Sequence, residues 1–214
     1  MRTQVQDLDY DTPPALSRAV TISRAWKALQ SDRSIPAIPV TNDDGTLYGM
    51  LSPSEIAAYD MQTIKNTYAE NLPIFNLLNV LDGKVINEAG YLVDRVSGEV
   101  SIALPQQNEN LLFSGKNSIV ICGDQPEMAR RAIEMNVNCL IVCQAELPKE
   151  LRELPTTTCI IATPFDAFKA SRMIYHSIEA GRICRTEELD AFHLTDFVDD
   201  VKDVMLASRH RSYP

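Results

Sequence analysis

Apolar positions along this 214-residue chain follow two rhythms. Three short runs, 118–122, 139–142 and 159–162, are continuously apolar and rich in β-branched residues. Strands buried on both faces read this way. Between and after them the apolar period becomes helical. Ala129, Ala132, Ile133 and Asn136 share one face, with Glu127/Arg131 and Arg130/Glu134 as i,i+4 pairs on the outer side. Ala167, Ala170, Ser171, Ile174 and Ile178 share another. Asp124-Gln125-Pro126-Glu127 and Thr163-Pro164-Phe165-Asp166 each read as a capping box with Pro in the first turn. Strand, capped helix, strand predicts a βαβ crossover. Residues 73–190 therefore read as one small α/β domain with a mainly parallel sheet.

The flanks carry a different pattern. Residues 1–12 are polar and acidic and stop at Pro13-Pro14. Thr21 is a good N-cap for a helix whose Ile22, Ala25, Trp26 and Leu29 lie at i, i+3, i+4 and i+7, with Trp26 expected in the core. Residues 34–40 are extended, and Pro36 and Pro39 place them at an edge. Asn42-Asp43-Asp44-Gly45 is a hairpin turn, and 46–51 the return strand. Ser52-Pro53-Ser54-Glu55 is a third capping box, opening a helix to about Asp60. The polar stretch 61–72 reads as a linker or a helix extension, with 62–72 set as the linker. An apolar-rich helix over 72–81, an Asp82-Gly83 turn, strands at 85–86 and 99–104 and a polar loop at 106–110 lead into the βαβ core. Residues 195–207 form a last amphipathic helix, striped by Val198, Val201 and Met205.

Composition narrows the function. At 45% hydrophobic and 23% charged the chain is an ordinary globular one. A net charge of -9 argues against a grip on nucleic acid, which needs clustered Lys and Arg. With no leader pattern and no apolar run of membrane-spanning length, a cytoplasmic protein without membrane or nucleic-acid partners is expected. Cys122, Cys139, Cys143, Cys159 and Cys184 are five, an odd count. Cys139-x-x-x-Cys143 suggests a metal only weakly, because His176, His193 and His210 are scattered. Buried small hydrophobes is the better reading, with no metal and no cofactor in this chain.

The hairpin region SIPAIPVTNDDGTLYGMLSPSEI, with Gly49-Met50-Leu51-Ser52 and then Glu55, resembles a CBS module, with Glu55 where that pattern has Asp. Ile119 to Asp124, 139–142 and 160–166 resemble a DRTGG domain. Gln125 stands where that family has Arg, and Cys143-Gln144-Ala145 where it has Thr-Gly-Gly. Residues 208–214, SRHRSYP, resemble the opening of a second CBS module. The resulting order is a CBS module at 1–61, linker at 62–72, DRTGG-like domain at 73–190 and an incomplete second CBS module at 191–214. It resembles the regulatory insert of CBS-containing family II inorganic pyrophosphatases. The fold class expected is α/β (α+β overall), with CBS-type half-modules flanking the DRTGG-like domain.

The resemblance implies a sensor of AMP, ADP, ATP or diadenosine polyphosphates: AMP and ADP inhibit, ATP or the diadenosine compound activates. It implies a homodimer. It also implies that the chain itself is no enzyme, the diphosphatase chemistry and its Mn or Co belonging to catalytic domains whose Asp/His-rich motifs do not occur here. Ser52 and Glu55 match the phosphate and ribose positions, Ile35, Ala37 and Ile38 the apolar adenine wall, and Arg211, Ser212 and Tyr213 the start of the second module. The physics suits these roles. A helix N-terminus attracts phosphate, Arg grips it in two places, and an aromatic ring stacks on adenine. Two other readings stay open. Ser52/Glu55 is also an ordinary cap, so the chain could be a ligand-free dimerisation or docking module. Asp124, Thr163 and Asp166, at strand ends, are the positions a small α/β enzyme would use.

Overall fold

A computed structural model of the protein describes residues 2–10, 12–103, 115–187, 189–208 and 213–214. Leu104, the loop expected at 106–110, Arg211 and Ser212 lie outside the described residues. The chain forms two compact units, Asp60–Ile178 and the discontinuous Met1–Tyr59 with Glu179–Pro214.

The Asp60–Ile178 unit is a three-layer α/β sandwich. Strands β4 (Tyr68–Pro73), β5 (Lys84–Val85), β6 (Arg95–Ile102), β7 (Ser118–Cys122), β8 (Cys139–Cys143) and β9 (Cys159–Thr163) stand in the order β4-β6-β7-β8-β9-β5. The inner four are parallel, and β4 and β5 run antiparallel at the edges. Helices α4 (Pro126–Glu134) and α5 (Lys149–Arg152) cover one face, burying Val120, Leu140, Val142 and Ile160 with Ala129, Ile133 and Leu151. On the other face α3 (Ile74–Leu81) and α6 (Ala167–Tyr175) pack together, and α6 lies on β6 and β7.

In the first unit, β1 (Leu16–Ser17), β2 (Ile38–Thr41) and β3 (Leu47–Leu51) form a three-stranded sheet, parallel between β1 and β2 and antiparallel between β2 and β3. The hairpin turn forms as expected. Gly45 takes φ +82°, open to glycine without strain, and Asp44 accepts from the Thr46 backbone and hydroxyl at 2.9 and 2.6 Å. Those bonds lower the Asp44 carboxyl pKa. Helix α1 (Ile22–Ser31) is capped by Thr21, whose hydroxyl accepts from Arg24 N–H at 3.3 Å. Ile22, Ala25 and Leu29 are buried, while Trp26 is half-buried. Far along the chain, Arg185 returns to pair with Met50 by two backbone bonds of 2.9 Å. Helix α7 (Val198–Ala207) follows, and its preceding segment pairs with residues 3–6 at the chain start.

Several expectations shift. Residues 61–65 are the helix extension, since α2 (Pro53–Lys65) runs past Asp60, and β4, an edge strand of the larger sheet, stands in place of a linker. β4 buries only Ala69 and Leu72 and is interrupted near Asn71, at φ 54°, so its polar sequence hides it. Residues 179–190, assigned to the α/β domain, belong instead to the discontinuous unit. Caps move too. Gln125, not Asp124, is the N-cap of α4, and Asp166, not Thr163, caps α6 by accepting from Lys169 N–H at 2.9 Å. Asn136 does not extend the α4 face. At φ 51° it ends the helix, and its side-chain Oδ1 accepts from Thr157 N–H at 3.0 Å. On α7 only Val201 is buried, and Met205 is 43% exposed.

The Cys184–Arg185 segment explains Gly49. A Cβ there would sit 2.7 Å from the Arg185 carbonyl oxygen and 2.8 Å from Cys184 Sγ. Gly49→Ala is expected to cost about 1–3 kcal/mol through this overpacking. Urea unfolding followed by the fluorescence of Trp26, the sole tryptophan, checks it: an unchanged midpoint would mean that the segment yields freely.

Candidate functional site

β3 delivers the chain to Ser52, and α2 begins on the next residue. There Ser52 and Glu55 lock together. Ser52 N–H donates to Glu55 Oε2 at 2.7 Å, and the Ser52 hydroxyl donates to the same oxygen. Ser52 Oγ also accepts from Ser54 N–H at 3.2 Å. Both side chains are half-buried, and the buried Ile56 anchors the turn beneath them. This is the Glu-to-N-cap half of a capping box, with the Ser52 hydroxyl accepting from Ser54 rather than Glu55 N–H, and it leaves the Glu55 Oε1 edge for a further donor. The pairing of Ile38 with Leu51 brings Ala37 beside Ser52.

Ile35 and Ala37 are half-buried and approach through a turn in which Asp32 accepts from Ser34 N–H at 2.9 Å and from its hydroxyl at 2.6 Å. Those bonds lower the Asp32 carboxyl pKa. Ile38 corrects the expected adenine wall. It is 0% exposed, so its side chain belongs to the core and only Ile35 and Ala37 retain surface. Tyr213 lies against Phe192, ring centroids 5.3 Å apart at 45°, and Phe192 N–H donates to the Pro214 carbonyl.

Cys184 escaped the sequence reading as a neighbour of this site, because 129 or more residues separate it from Ser52 and Glu55. Burial raises its thiol pKa on balance, against a backbone hydrogen bond and Arg18, which lower it, and Glu55 adds to the rise, so Cys184 lies within electrostatic reach of Glu55. Arg18 itself is held over the Tyr48 ring at 4.1 Å.

Among the described residues, two of the three strand-end positions of the second unit serve structural bonds. The Thr163 hydroxyl donates to the Leu81 carbonyl at 2.5 Å and accepts from Phe165 N–H, Asp166 is a cap, and Asp124 is exposed. Gln125 donates to the Ala103 carbonyl at 3.3 Å, while its Oε1 is buried without a hydrogen-bond partner. Gln144 adopts φ 52°, the conformation that glycine suits best, where the DRTGG pattern has glycine.

A polar node lies elsewhere in this unit. His176, 1% exposed at the C-terminus of α6, places Nε2 2.6 Å from Asp60 Oδ1, and Arg172 Nη2 is 3.0 Å from Asp60 Oδ2. His176 Nδ1 is buried without a hydrogen-bond partner. Asp60, Thr63, Val100, Arg172 and Tyr175 line a cleft of about 440 Å³.

All five cysteines are free and buried. Burial, with Cys143 adding to it, pushes the Cys122 thiol up to about 12; burial and then Asp166 push Cys143 up to about 11. Cys139 and Cys159 face each other across β8 and β9, and Cys139 shares its S–H with Cys159. No group of three or more His, Cys, Asp or Glu side chains suited to a metal occurs among the described residues, and none of the helices described is long and apolar enough to cross a membrane.

The fold and its matches define the class. Residues 76–177 match the DRTGG domain family, and the chain as a whole is similar in fold to a CBS-and-DRTGG regulatory region. In particular, it is similar to the CBS and DRTGG domains of the regulatory region of Clostridium perfringens pyrophosphatase, whose crystal structure holds the activator diadenosine tetraphosphate. That match has a TM-score of 0.78 and 29% identity, and covers 100% of this chain and 94% of that one. Over 221 residues the chain is 32% identical to the cobalt-dependent inorganic pyrophosphatase of Clostridium perfringens (strain 13 / Type A). All of this chain but 40% of that curated relative is covered. What the chain matches is the regulatory part of the relative, not its catalytic part.

The thiols give a direct test. In an unfolded chain they ionise near 9.0, whereas folded Cys122 stays neutral to about 12. The folded state therefore holds more protons in that window, and stability falls as pH rises through it. Cys122 contributes a slope of about 1.4 kcal/mol per pH unit. Iodoacetamide at pH 8 is expected to leave Cys122 and Cys143 unmodified in the folded protein and to alkylate both in denaturant, as peptide mass mapping would read. Alkylation of either at equal rates in both states would contradict their burial.

Proposed function

We propose that this chain senses adenine nucleotides and thereby regulates an inorganic pyrophosphatase. The observation that carries this reading is the full-length match, at 29% identity, to a regulatory region that binds a diadenosine tetraphosphate activator. The residues on the page suit that ligand. The α2 N-terminus and the Ser52 hydroxyl offer donors to phosphate. The free Oε1 of Glu55 accepts a ribose hydroxyl, a role for which a carboxylate is better suited than for phosphate. Ile35 and Ala37 give the adenine an apolar edge, and by the CBS resemblance Arg211 contacts phosphate and Tyr213 lies beside the base.

Within a homodimer, a diadenosine compound has two adenines to place, one per copy. AMP and ADP then favour the inhibited arrangement, and ATP or diadenosine polyphosphates the active one. Such a ligand works only through a difference in affinity for two states. The metal of the reaction, cobalt in the curated relative, is held by catalytic domains outside this chain.

Calorimetric titration of the protein with AMP, ADP, ATP and diadenosine tetraphosphate tests the reading. Saturable binding is expected, and Arg211→Ala is expected to weaken it about 10-fold or more through loss of a charge-assisted hydrogen bond. Heats no larger than dilution, with a folded protein in the cell, would leave the docking-module reading in its place.

A further inference from the structure

The first turn of α2 has few hydrogen-bond donors to spare. Pro53 has no N–H. Ser54 N–H goes to Ser52 Oγ at 3.2 Å, and Ile56 N–H to the Ser52 carbonyl at 3.5 Å. Ser52 itself presents two donors, its N–H and its hydroxyl, and both end on Glu55 Oε2. Among the described residues of this turn, only the Glu55 N–H is then without a hydrogen bond. Such donors are what make a helix N-terminus attract an anion. Here the helix supplies the anion from its own third residue. Length makes that possible: a glutamate at this position reaches back to the N-cap residue, and an aspartate is one methylene shorter.

We propose that Glu55 is an internal competitor for the phosphate of a nucleotide, and that its length sets how much the phosphate adds to affinity. The inference rests on the nucleotide reading above. A phosphate oxygen arriving at this turn takes the Ser52 N–H and hydroxyl away from Glu55 Oε2. One set of charge-assisted hydrogen bonds replaces another, so the net gain is small. The displaced carboxylate also stays close, three residues along the chain and half-buried, and repels the newcomer. A nucleoside meets neither cost, because its ribose uses the Oε1 edge and leaves the bonds at Oε2 in place. The turn therefore weights the nucleoside over the phosphate, and a single methylene in one side chain decides that weighting.

Calorimetric titration with adenosine and with AMP tests the competition. The quantity read is the phosphate gain, the adenosine Kd divided by the AMP Kd. Glu55→Asp keeps the carboxylate and removes its reach, and is expected to raise the gain about fivefold or more over the unmutated protein. Glu55→Ala frees the same donors without any carboxylate, so its gain is expected to rise at least as far, while adenosine itself binds more weakly. Adding Ser52→Ala to Glu55→Asp is expected to reduce the rise, and a rise untouched by loss of the hydroxyl overturns the assignment to Ser52. Binding of both ligands with a gain unchanged or lowered in Glu55→Asp and Glu55→Ala overturns the competition and leaves the nucleotide reading standing. AMP binding to the unmutated protein without detectable adenosine binding also overturns it, since the phosphate would then already carry the affinity. Binding of neither ligand by the folded proteins defeats the nucleotide reading and the competition together.

Discussion

Strands β7 and β8 have no solvent on either face. Every residue of both is buried, most of them at 0 or 1% exposure. A strand pair of that kind is stable only between two layers of helix, and the 60–178 unit is arranged to supply them. Helices α4 and α5 close one side, and α3 and α6 the other. The antiparallel edges β4 and β5 take up what remains. Polar groups admitted inside must then be paired. Asn87, 5% exposed, donates to the Thr158 carbonyl at 2.9 Å and accepts from Ile160 N–H at 3.0 Å, which stitches the β5–β9 end of the sheet.

The smaller unit answers a different constraint. Three short strands cannot by themselves bury enough surface, so the chain returns after the whole DRTGG domain to complete them. Arg185 pairs with Met50, Ala180 N–H reaches the Val20 carbonyl at 2.7 Å, and Gly181 N–H the Arg18 carbonyl at 3.0 Å. A Cβ on Gly181 would meet the Arg18 side chain at 2.8 Å, as one on Gly49 would meet Arg185. Close backbone approach, not turn geometry, is what both glycines serve. The Ser52–Glu55 box sits at the end of the strand that this return braces, so the candidate nucleotide site depends on residues more than a hundred positions away.

The parts that were legible in the sequence are the parts with local causes. The three β-branched runs, the Asp-Gly hairpin, the Thr21 cap and the Ser52–Glu55 box depend on neighbours within four residues, and each stands where the pattern put it. Capping boxes at Asp124 and Thr163 were misplaced by one and three residues. The pattern of a polar residue before a helix recurs at successive positions there, and the choice among them falls to the neighbouring sheet: Thr163 is still paired within β9 and turns its hydroxyl to Leu81. β4 was missed because an edge strand needs few apolar residues and gains safety from polar ones. Ile38 was placed on a ligand wall by its resemblance to the CBS pattern, which matches positions along the strand but does not say which of them the core covers.

The sequence alone determined the class of the fold, the runs that become its core, the hairpin and the box at the head of α2, since hydrophobic period and capping chemistry act over one or two turns. The tertiary structure decided that 179–185 completes the first unit, that 68–73 joins the second, and that Asp60, Arg172 and His176 meet. No local rule pairs a carboxylate with a histidine 116 residues away. That contact exists because α6 is laid on the sheet by apolar residues elsewhere along it, and the polar ends of the two helices fall within hydrogen-bond reach as a consequence.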